Sequence, residues 1–205
     1  RIEDTDKKRS TEEFKENIIN GLKWLGIEWD NEPQIQSLNI NRHLEVAHNL
    51  LKIKKAYKCI CTEDQLTARR KKINTGEISS KKICISCETD NEVQSLGKGY
   101  VIRIKIPSAG KEILKDVIQG EVEVNNTEID DFVIVRRDNT PTYMLSVVVD
   151  DHDLGVNFII RGDDHLNNYF RQKFIYQHMN WEIPQYAHIP LIHGEDGTKL
   201  SKRHG

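Results

Sequence analysis

The chain has 205 residues, and its 30 Lys and Arg against 32 Asp and Glu give a formal net charge of −2. This length allows one domain with an insertion or two small domains, and the near-neutral charge excludes a globally basic nucleic-acid-binding surface. No run of residues is long and apolar enough to span a bilayer. An RNA partner would therefore have to bind local basic patches.

Residues 1–56 predict two amphipathic helices. Ser10 and Glu13 have the spacing of a capping box, with Ser10 as the N-cap. Apolar residues then recur at helical spacing: Phe14, Ile18, Leu22 and Leu25. Gly26 fits the position after the helix, where a left-handed backbone favours glycine. The second helix is predicted to bury one apolar face: Leu44, Ala47, Leu50, Leu51 and Ile53.

Residues 57–137 have a different character, with short strands and a basic helix. In residues 101–106 apolar and basic side chains alternate, which predicts a half-buried strand. A second alternating run, 121–124, precedes a turn signal at Asn125 and Asn126. The basic residues of this segment are candidates for contact with RNA phosphates, with a solvated surface as the alternative: Arg69, Arg70, Lys71, Lys72, Lys81, Lys82, Arg103 and Lys105.

The four cysteines of the chain fall into two pairs in this middle segment. Cys59 and Cys61 are separated by one residue, and Cys84 and Cys87 by two. Four thiolates in two pairs suit a structural zinc ion, because all four coordination positions are then filled by protein. Four reduced thiols in a small insertion are the alternative.

Residues 138–205 return to alternating strand and helix. A strand over 157–160 ends at Arg161, and Asp163 or Asp164 can cap the helix that follows. A further strand is predicted over 186–192. Strand, helix and strand in succession predict a parallel sheet with helices packed over it, so the fold class is α/β.

A glycine-rich basic loop follows the last predicted strand. In it Lys199 and Lys202 flank Ser201 at K-x-S-K spacing, which suits neutralisation of a polyphosphate. Ligands of open parallel sheets bind outside the carboxyl ends of the strands. We therefore expect Arg161 and the two lysines to face one crevice.

Five motifs together resemble the class I aminoacyl-tRNA synthetases, specifically the bacterial or organellar glutamyl-tRNA synthetase family. In order they are RIEDTD at 1–6, TPTY at 140–143, VVVDDHD at 147–153, RGDDH at 161–165 and KLSKR at 199–203. The resemblance runs over the whole chain. It implies a Rossmann-like parallel sheet in residues 1–56 and 138–205, interrupted by a mixed α/β insertion, residues 57–137, that binds the tRNA acceptor stem.

The resemblance also implies a reaction. Glutamate attacks the α-phosphate of ATP, with Mg²⁺, and the glutamyl group then passes from the adenylate to tRNA(Glu). Glu3 would hold the substrate ammonium, Tyr143 would line the amino-acid pocket, and Arg161 would bind a substrate carboxylate. Lys199 and Lys202 would be the catalytic residues, binding ATP together with Asp164. Some members of the family carry zinc here, beginning with the same C-x-C as Cys59 and Cys61, and others have lost it. The second half of the family's site is often a single Cys with a Tyr or His, so Cys84 and Cys87 depart from the family pattern.

Further motif residues match the family without an assigned chemical role. Asp150, Asp151 and His152 are expected to organise a domain junction, and His188 lies in a strand that passes the adenine in the family. A buried strand end would explain His188 equally well.

Two expected family segments are absent from the chain. The H-I-G-H signature would precede Arg1 and the anticodon-binding region would follow Gly205. We therefore expect this piece alone to be inactive, or the two segments to be present but disordered. The parent is expected to be a cytoplasmic monomer without membrane contact. The alternatives are a paralogue that attaches glutamate to a modified tRNA base and a non-catalytic RNA-binding fragment. The residues around Tyr143 disfavour glutaminyl specificity.

Overall fold

The computed structural model describes residues 1–4, 10–79, 81–84, 86–194 and 197–198. The helices in this part of the chain are α1 (Glu12–Trp24), α2 (Ile40–Lys52), α3 (Glu63–Asn74), α4 (Asn91–Ser95), α5 (Tyr143–Asp153) and α6 (Leu166–Met179). The strands are β1 (Ala56–Cys59), β2 (Val101–Ile104), β3 (Lys111–Asp116), β4 (Gly120–Asn125), β5 (Val133–Val135), β6 (Phe158–Gly162) and β7 (Gln185–Ile189). Short 3₁₀ turns precede α2, β5 and α6.

The strands form two sheets. Three antiparallel strands make the first, in the order β1-β2-β5, and the second has the order β4-β3-β7-β6. In the second sheet β6 and β7 are parallel and are joined through α6, as the alternation of strand and helix predicts. The hairpin of β3 and β4 extends this parallel pair, because Asp116 lies beside Tyr186 of β7 in parallel register. Strands from the middle of the chain thus complete the sheet of its last third.

Two apolar cores hold the sheets and helices together. The larger core packs α2 and α5 against β2 and β5, with Leu50, Ile104 and Val148 fully buried. The smaller core packs α6 against β3 and β7. The α/β class expected from the sequence is therefore confirmed.

Helix α1 is present where expected, but its cap and its burial differ from the prediction. Thr11, not Ser10, is the N-cap, and its Oγ1 accepts a hydrogen bond from the Phe14 amide at 3.3 Å. Gly26 follows the helix with φ +72°, as expected for a left-handed position. No residue of α1 is buried, and Phe14 is 51% exposed. The apolar stripe therefore forms a surface of the described chain.

Three further boundary predictions are wrong for identifiable reasons. Ile53 is the C-cap of α2 and is exposed, so it does not lie on the inner face. Strand β7 ends at Ile189 because Pro190 has no amide proton to continue the ladder. Neither Asp163 nor Asp164 caps α6, because a 3₁₀ turn intervenes and makes His165 the N-cap residue without a side-chain cap bond.

The longest described helix, α6, has 14 residues. Across the described ranges, no helix combines the length and apolar character needed to cross a membrane.

Candidate active site and thiol cluster

Arg161 lies near the carboxyl end of β6, in register with His188 of the parallel strand β7. Its Nε donates to His188 Nε2 at 3.0 Å and its Nη1 donates to Gln172 Oε1 at 2.8 Å. The guanidinium also lies over the Tyr186 ring, 5.0 Å from the ring centroid. Among the described residues, Nη2 has no hydrogen-bond partner although it is buried. A buried, unpaired N–H of a cation is a ready donor for an anionic ligand.

Tyr143 lies within electrostatic range of both Glu3 and Arg161, although the three residues are far apart in the sequence. Tyr143 is the first residue of α5 and is half-buried. Burial raises the pKa of its hydroxyl, the nearby Glu3 carboxylate raises that pKa further, and Arg161 opposes both. The structure thus brings together the three residues expected to bind the amino acid.

Glu3 is held in place by Arg1. The Arg1 Nη2 donates to Glu3 Oε1 at 2.9 Å, and Nη1 donates to the Asp151 carboxylate of α5. Burial lowers the pKa of Arg1, but the two carboxylates more than offset this and the pKa is raised overall. Arg1 stays charged, so it ties Glu3 to the helix that carries Tyr143.

Gly162 and Asp164 continue the site beyond Arg161. A Cβ on Gly162 would lie 2.6 Å from Asp164 Oδ1 and 3.0 Å from a methyl of Leu191. A side chain at position 162 would therefore have to displace the Asp164 carboxylate and crowd Leu191. The Asp164 side chain is 34% exposed in the 3₁₀ turn that follows, and the neighbouring His165 ring lies 6.0 Å from the Tyr143 ring.

The two lysines of the basic loop, Lys199 and Lys202, lie outside the described residues. The described chain before them ends β7 at the same sheet edge as Arg161. A turn then closes through a hydrogen bond from the Gly194 amide to the Thr198 carbonyl at 2.9 Å. Their expected place in the crevice therefore stays a prediction.

Asp150 lies at the junction of two helices, where it joins the segment before α2 to α5. Its buried carboxylate accepts hydrogen bonds from Gln36 at 2.8 Å, Asn39 at 3.0 Å and His43 at 2.7 Å. Burial alone would raise its pKa, but these donors lower it overall. His152, in the same helix, stacks its ring on Trp181, with the ring centroids 3.9 Å apart. These residues organise the packing behind the candidate site.

The four cysteines meet in one cluster. Their sulfur atoms all lie within 4.8 Å of one another, and Cys61 Sγ is 3.7 Å from Cys84 and 3.6 Å from Cys87. All four are free thiols. Tetrahedral zinc with Zn–S bonds of about 2.3 Å requires sulfur atoms about 3.8 Å apart. The donor set and its spacing therefore fit a four-thiolate zinc ion.

The thiols of the cluster have unequal proton affinities. A hydrogen bond from Cys84 lowers the pKa of Cys59 to about 4, against the opposing effect of burial, and Arg103 lowers it further. Burial raises the pKa of Cys61 to about 12. One thiolate thus forms readily without metal, and a divalent cation would favour deprotonation of Cys61 and Cys84, whose pKa values are raised.

The expected contact of Arg103 with RNA is wrong. Arg103 is 4% exposed, because β2 places it inside the fold, not on the solvent side. Its Nη1 donates to the Asp131 carbonyl at 2.8 Å, and its charge lies beside Cys59. Arg103 is therefore a counter-charge for the thiol cluster.

Asp131 supports the same cluster from the opposite side. Its carboxylate accepts hydrogen bonds from the amides of Ile83 at 2.6 Å and Cys84 at 3.3 Å, and from the Tyr57 hydroxyl. Burial raises the pKa of Asp131 despite these donors. The carboxylate fixes the backbone that carries Cys84.

The other basic candidates divide into a partly buried group and an exposed group, and the exposed Arg70 is also paired with Glu63 at 2.8 Å. Lys82 and Lys105 both contact Glu88, with Lys105 at 3.4 Å, and Arg69 donates to the Lys82 carbonyl at 3.3 Å. The exposed members of the set are Arg70, Lys71, Lys72 and Lys81. The exposed group remains the candidate surface for RNA phosphates.

Three residues of these sites were not identified from the sequence: Gln172, Asp116 and Asp131. Gln172 lies in α6 and looks like any polar helix residue. Asp116 directly precedes a turn closed by Gly120, a position where aspartate side chains bind turn amides, so this signal could have been used. Asp131 shows no comparable local signal.

Comparison with known proteins places this geometry in a family. Residues 1–205 match the family described as tRNA synthetases class I (E and Q), catalytic domain. Glutamate–tRNA ligase 2 of Zymomonas mobilis is 52% identical over the whole chain, and glutamate–tRNA ligase 1 of Gluconobacter oxydans is 50% identical. The chain spans 43% of the length of each relative.

Solved structures show the same similarity. The glutamate tRNA ligase of Elizabethkingia meningosepticum, crystallised in complex with its amino acid, matches 99% of this chain with a TM-score of 0.78 at 30% identity. The glutamate–tRNA synthetase of Elizabethkingia anophelis matches with a TM-score of 0.79 at 30% identity. The chain covers 44% and 45% of these two proteins. From the family match, the relatives and the shared fold, we conclude that this chain belongs to the catalytic-domain family of the class I glutamyl- and glutaminyl-tRNA synthetases.

Proposed function

We propose that this chain supplies the amino-acid-activating part of a glutamate–tRNA ligase. The observation that carries the proposal is the buried Nη2 of Arg161, which has no partner in the described chain, with Tyr143 in electrostatic range of both Arg161 and Glu3. An amino acid with a carboxylate side chain needs one cation, one anion and a neutral donor at close range. These three residues supply that set.

In the proposed binding mode, Arg161 donates from Nη2 to a substrate carboxylate and Glu3 accepts from the substrate ammonium. The Tyr143 hydroxyl stays neutral, because its pKa is raised, and so it can donate to the substrate. Held in this way, the reacting carboxylate attacks the α-phosphate of ATP and pyrophosphate leaves. No protein nucleophile is required.

ATP is proposed to bind at the same sheet edge. Asp164 would contact the ribose, and Lys199 and Lys202 would neutralise the phosphates as negative charge moves to the leaving pyrophosphate. ATP would bring Mg²⁺, which supplies further charge neutralisation. Asp164 lies against Gly162, the residue that follows Arg161, which supports this placement of its carboxylate.

A structural zinc ion is proposed for the thiol cluster, held by Cys59, Cys61, Cys84 and Cys87. The sulfur spacing and the four free thiols support it. The zinc would stabilise the insertion, and its four protein ligands would leave no position for substrate. Free thiols also favour the cytoplasm, the reducing compartment in which proteins are made.

The tRNA(Glu) acceptor stem is the proposed macromolecular substrate. Exposed lysines and arginines of α3 and of the loop after it would contact its phosphates. The glutamyl group would pass from the adenylate to the terminal ribose of this tRNA.

The test is pyrophosphate exchange with ATP by the full-length protein that contains this chain, with glutamate or glutamine, and with or without tRNA. We expect exchange with glutamate only, and glutamylation of the tRNA end. Transfer to a modified tRNA base would favour the paralogue. RNA binding by folded protein without any exchange would favour the non-catalytic alternative and would contradict the proposal.

A further inference from the structure

A buried chain of hydrogen bonds leads from Arg161 to the β3–β4 hairpin. His188 Nε2 lies 3.0 Å from Arg161 Nε, and His188 Nδ1 lies 2.6 Å from Asp116 Oδ2. His188 is fully buried and Asp116 is 6% exposed. The three side chains come from β6, β7 and β3, so the contact spans three neighbouring strands of one sheet.

Arg161 determines which nitrogen of His188 carries the proton. The guanidinium has only N–H donors, so His188 Nε2 must accept. The proton of the neutral ring is therefore on Nδ1, from which it is donated to Asp116. A doubly protonated ring would place an N–H group against the Arg161 Nε–H. The order of donation along the chain is thus Arg161 to His188 to Asp116.

Asp116 is itself anchored by the backbone. Its Oδ1 accepts from the amides of Ile118 at 3.0 Å and Gln119 at 2.9 Å, which form the turn of the hairpin. The His188 amide donates to both carboxylate oxygens at 3.1 Å. The Gln119 side chain also donates to the His188 carbonyl at 3.0 Å. The hairpin therefore holds His188 by its ring and by its backbone.

These contacts fix the plane of the Arg161 guanidinium group. The guanidinium is planar, and His188 and Gln172 bind two of its three nitrogens. The Tyr186 ring supports one face of the same group. With two nitrogens bound, Nη2 can point in only one direction. Ordering this long side chain before the ligand arrives lowers the entropy cost of binding.

We infer that His188 and Asp116 are positioning residues for Arg161, and that the β3–β4 hairpin of the insertion thereby orients the amino-acid site of the catalytic sheet. This inference rests on the proposed function, in which Arg161 binds the substrate carboxylate. It gives the insertion a direct part in amino-acid recognition, in addition to its proposed contact with tRNA.

Two substitutions of His188 separate its two contacts. In His188→Asn the amide can replace Nδ1 as donor to Asp116, but nothing reaches Arg161. In His188→Gln the longer side chain places an acceptor near the position of Nε2. We expect His188→Asn to raise the KM for glutamate about tenfold or more, the size of a lost hydrogen bond to a charged group.

The matched comparisons are His188→Gln, Asp116→Asn and the exposed hairpin residue Val117→Ala, all assayed by glutamate-dependent pyrophosphate exchange in the full-length protein. His188→Gln should raise the glutamate KM less than His188→Asn, and Asp116→Asn should also raise it. The KM for ATP should stay within about twofold in every variant, and Val117→Ala should match the wild type. Thermal unfolding identifies the variants that fold.

A second measurement repeats His188→Asn in an Arg161→Lys background. Lysine has no Nε–H to bind His188, so the effect of His188→Asn on the glutamate KM should disappear there. A full effect in that background would overturn the inference, as would a wild-type glutamate KM in the folded His188→Asn and Asp116→Asn variants.

The two proposals fail in distinguishable ways. Wild-type protein without glutamate-dependent exchange would overturn the proposed function and, with it, the positioning role. An active wild type in which Arg161→Lys raises the glutamate KM, but His188→Asn leaves it unchanged, would overturn the positioning role alone.

Discussion

At the scale of single residues, the candidate site depends on two hydrogen-bond donors, the Tyr143 hydroxyl and the Nη2 of Arg161. Tyr143 remains a neutral donor because burial and Glu3 both raise its pKa. Arg161 has a buried Nη2 without a partner in the described chain. A ligand carboxylate could accept a hydrogen bond from each of these donors.

Replacing Tyr143 by Phe tests the hydroxyl alone. The ring keeps its packing, so the fold should be unchanged, while the KM for glutamate should rise about tenfold from the loss of one hydrogen bond to a charged group. The measurement is glutamate-dependent pyrophosphate exchange. Tyr169→Phe, in the core between Phe170 and Tyr186, is the matched control and should leave the KM unchanged. An unaltered KM in Tyr143→Phe would contradict the assignment.

The family resemblance pointed to Glu3 and Tyr143, and the strand pattern together with the resemblance pointed to Arg161, but neither indicated the residues that support them. Arg161 follows four residues that read as a strand, and strands β6 and β7 are parallel as expected. The contact of Asp116 with His188 could not be predicted, because it joins positions 72 residues apart. Long-range pairs of this kind leave no periodic trace in one sequence. Arg103 was misplaced for a related reason, since alternation does not report that both faces of β2 are covered.

At the scale of elements, the Asp150 network joins α5 to the turn before α2. Asp150→Asn would place an amide against three donors, and we expect the free energy of unfolding to fall by about 2 kcal/mol or more. Urea unfolding measures the change. Asp153→Asn is the control, because its exposed ion pair with Arg42 should contribute less than about 1 kcal/mol. Equal stability of the two variants would contradict the role of the buried network.

The β3–β4 hairpin should also make stability depend on pH. Burial opposes ionisation of Asp116, but hydrogen bonds from Gln119 and His188 lower its pKa to about 2. A lowered folded-state pKa stabilises the fold above the unfolded-state pKa, and this contribution is lost as the pH falls from about 4 to about 2. Asp116→Asn should flatten the dependence of unfolding free energy on pH in that window. An identical slope in the variant would contradict the prediction.

At the scale of the whole molecule, strands from the predicted insertion and from the last third of the chain share one sheet. Strands β3 and β4 belong to the insertion by sequence, yet they extend the sheet of β6 and β7. The sequence indicated the α/β class because strand and helix alternate in the last third. It did not indicate this shared sheet, because β3 meets β7 through a single parallel pair, Asp116 and Tyr186.

The thiol cluster should hold about one zinc ion per chain. Metal analysis of the purified full-length protein measures this, and Cys61→Ser or Cys87→Ser should lower the zinc content and the melting temperature together, because metal binding contributes to folding. Ser86→Ala, beside Cys87, is the control and should retain zinc. Folded wild-type protein purified without zinc, and unable to take it up, would contradict the proposed site.

The binding of a substrate carboxylate by Arg161 is tested most directly by the glutamate dependence of pyrophosphate exchange in wild-type and Arg161→Gln full-length protein. We expect the variant to fold, because glutamine is smaller and uncharged. Its KM for glutamate should rise about a hundredfold, the upper range for loss of a charged hydrogen bond. The KM for ATP should change little. A glutamate KM within twofold of the wild-type value would show that Arg161 does not bind the substrate carboxylate.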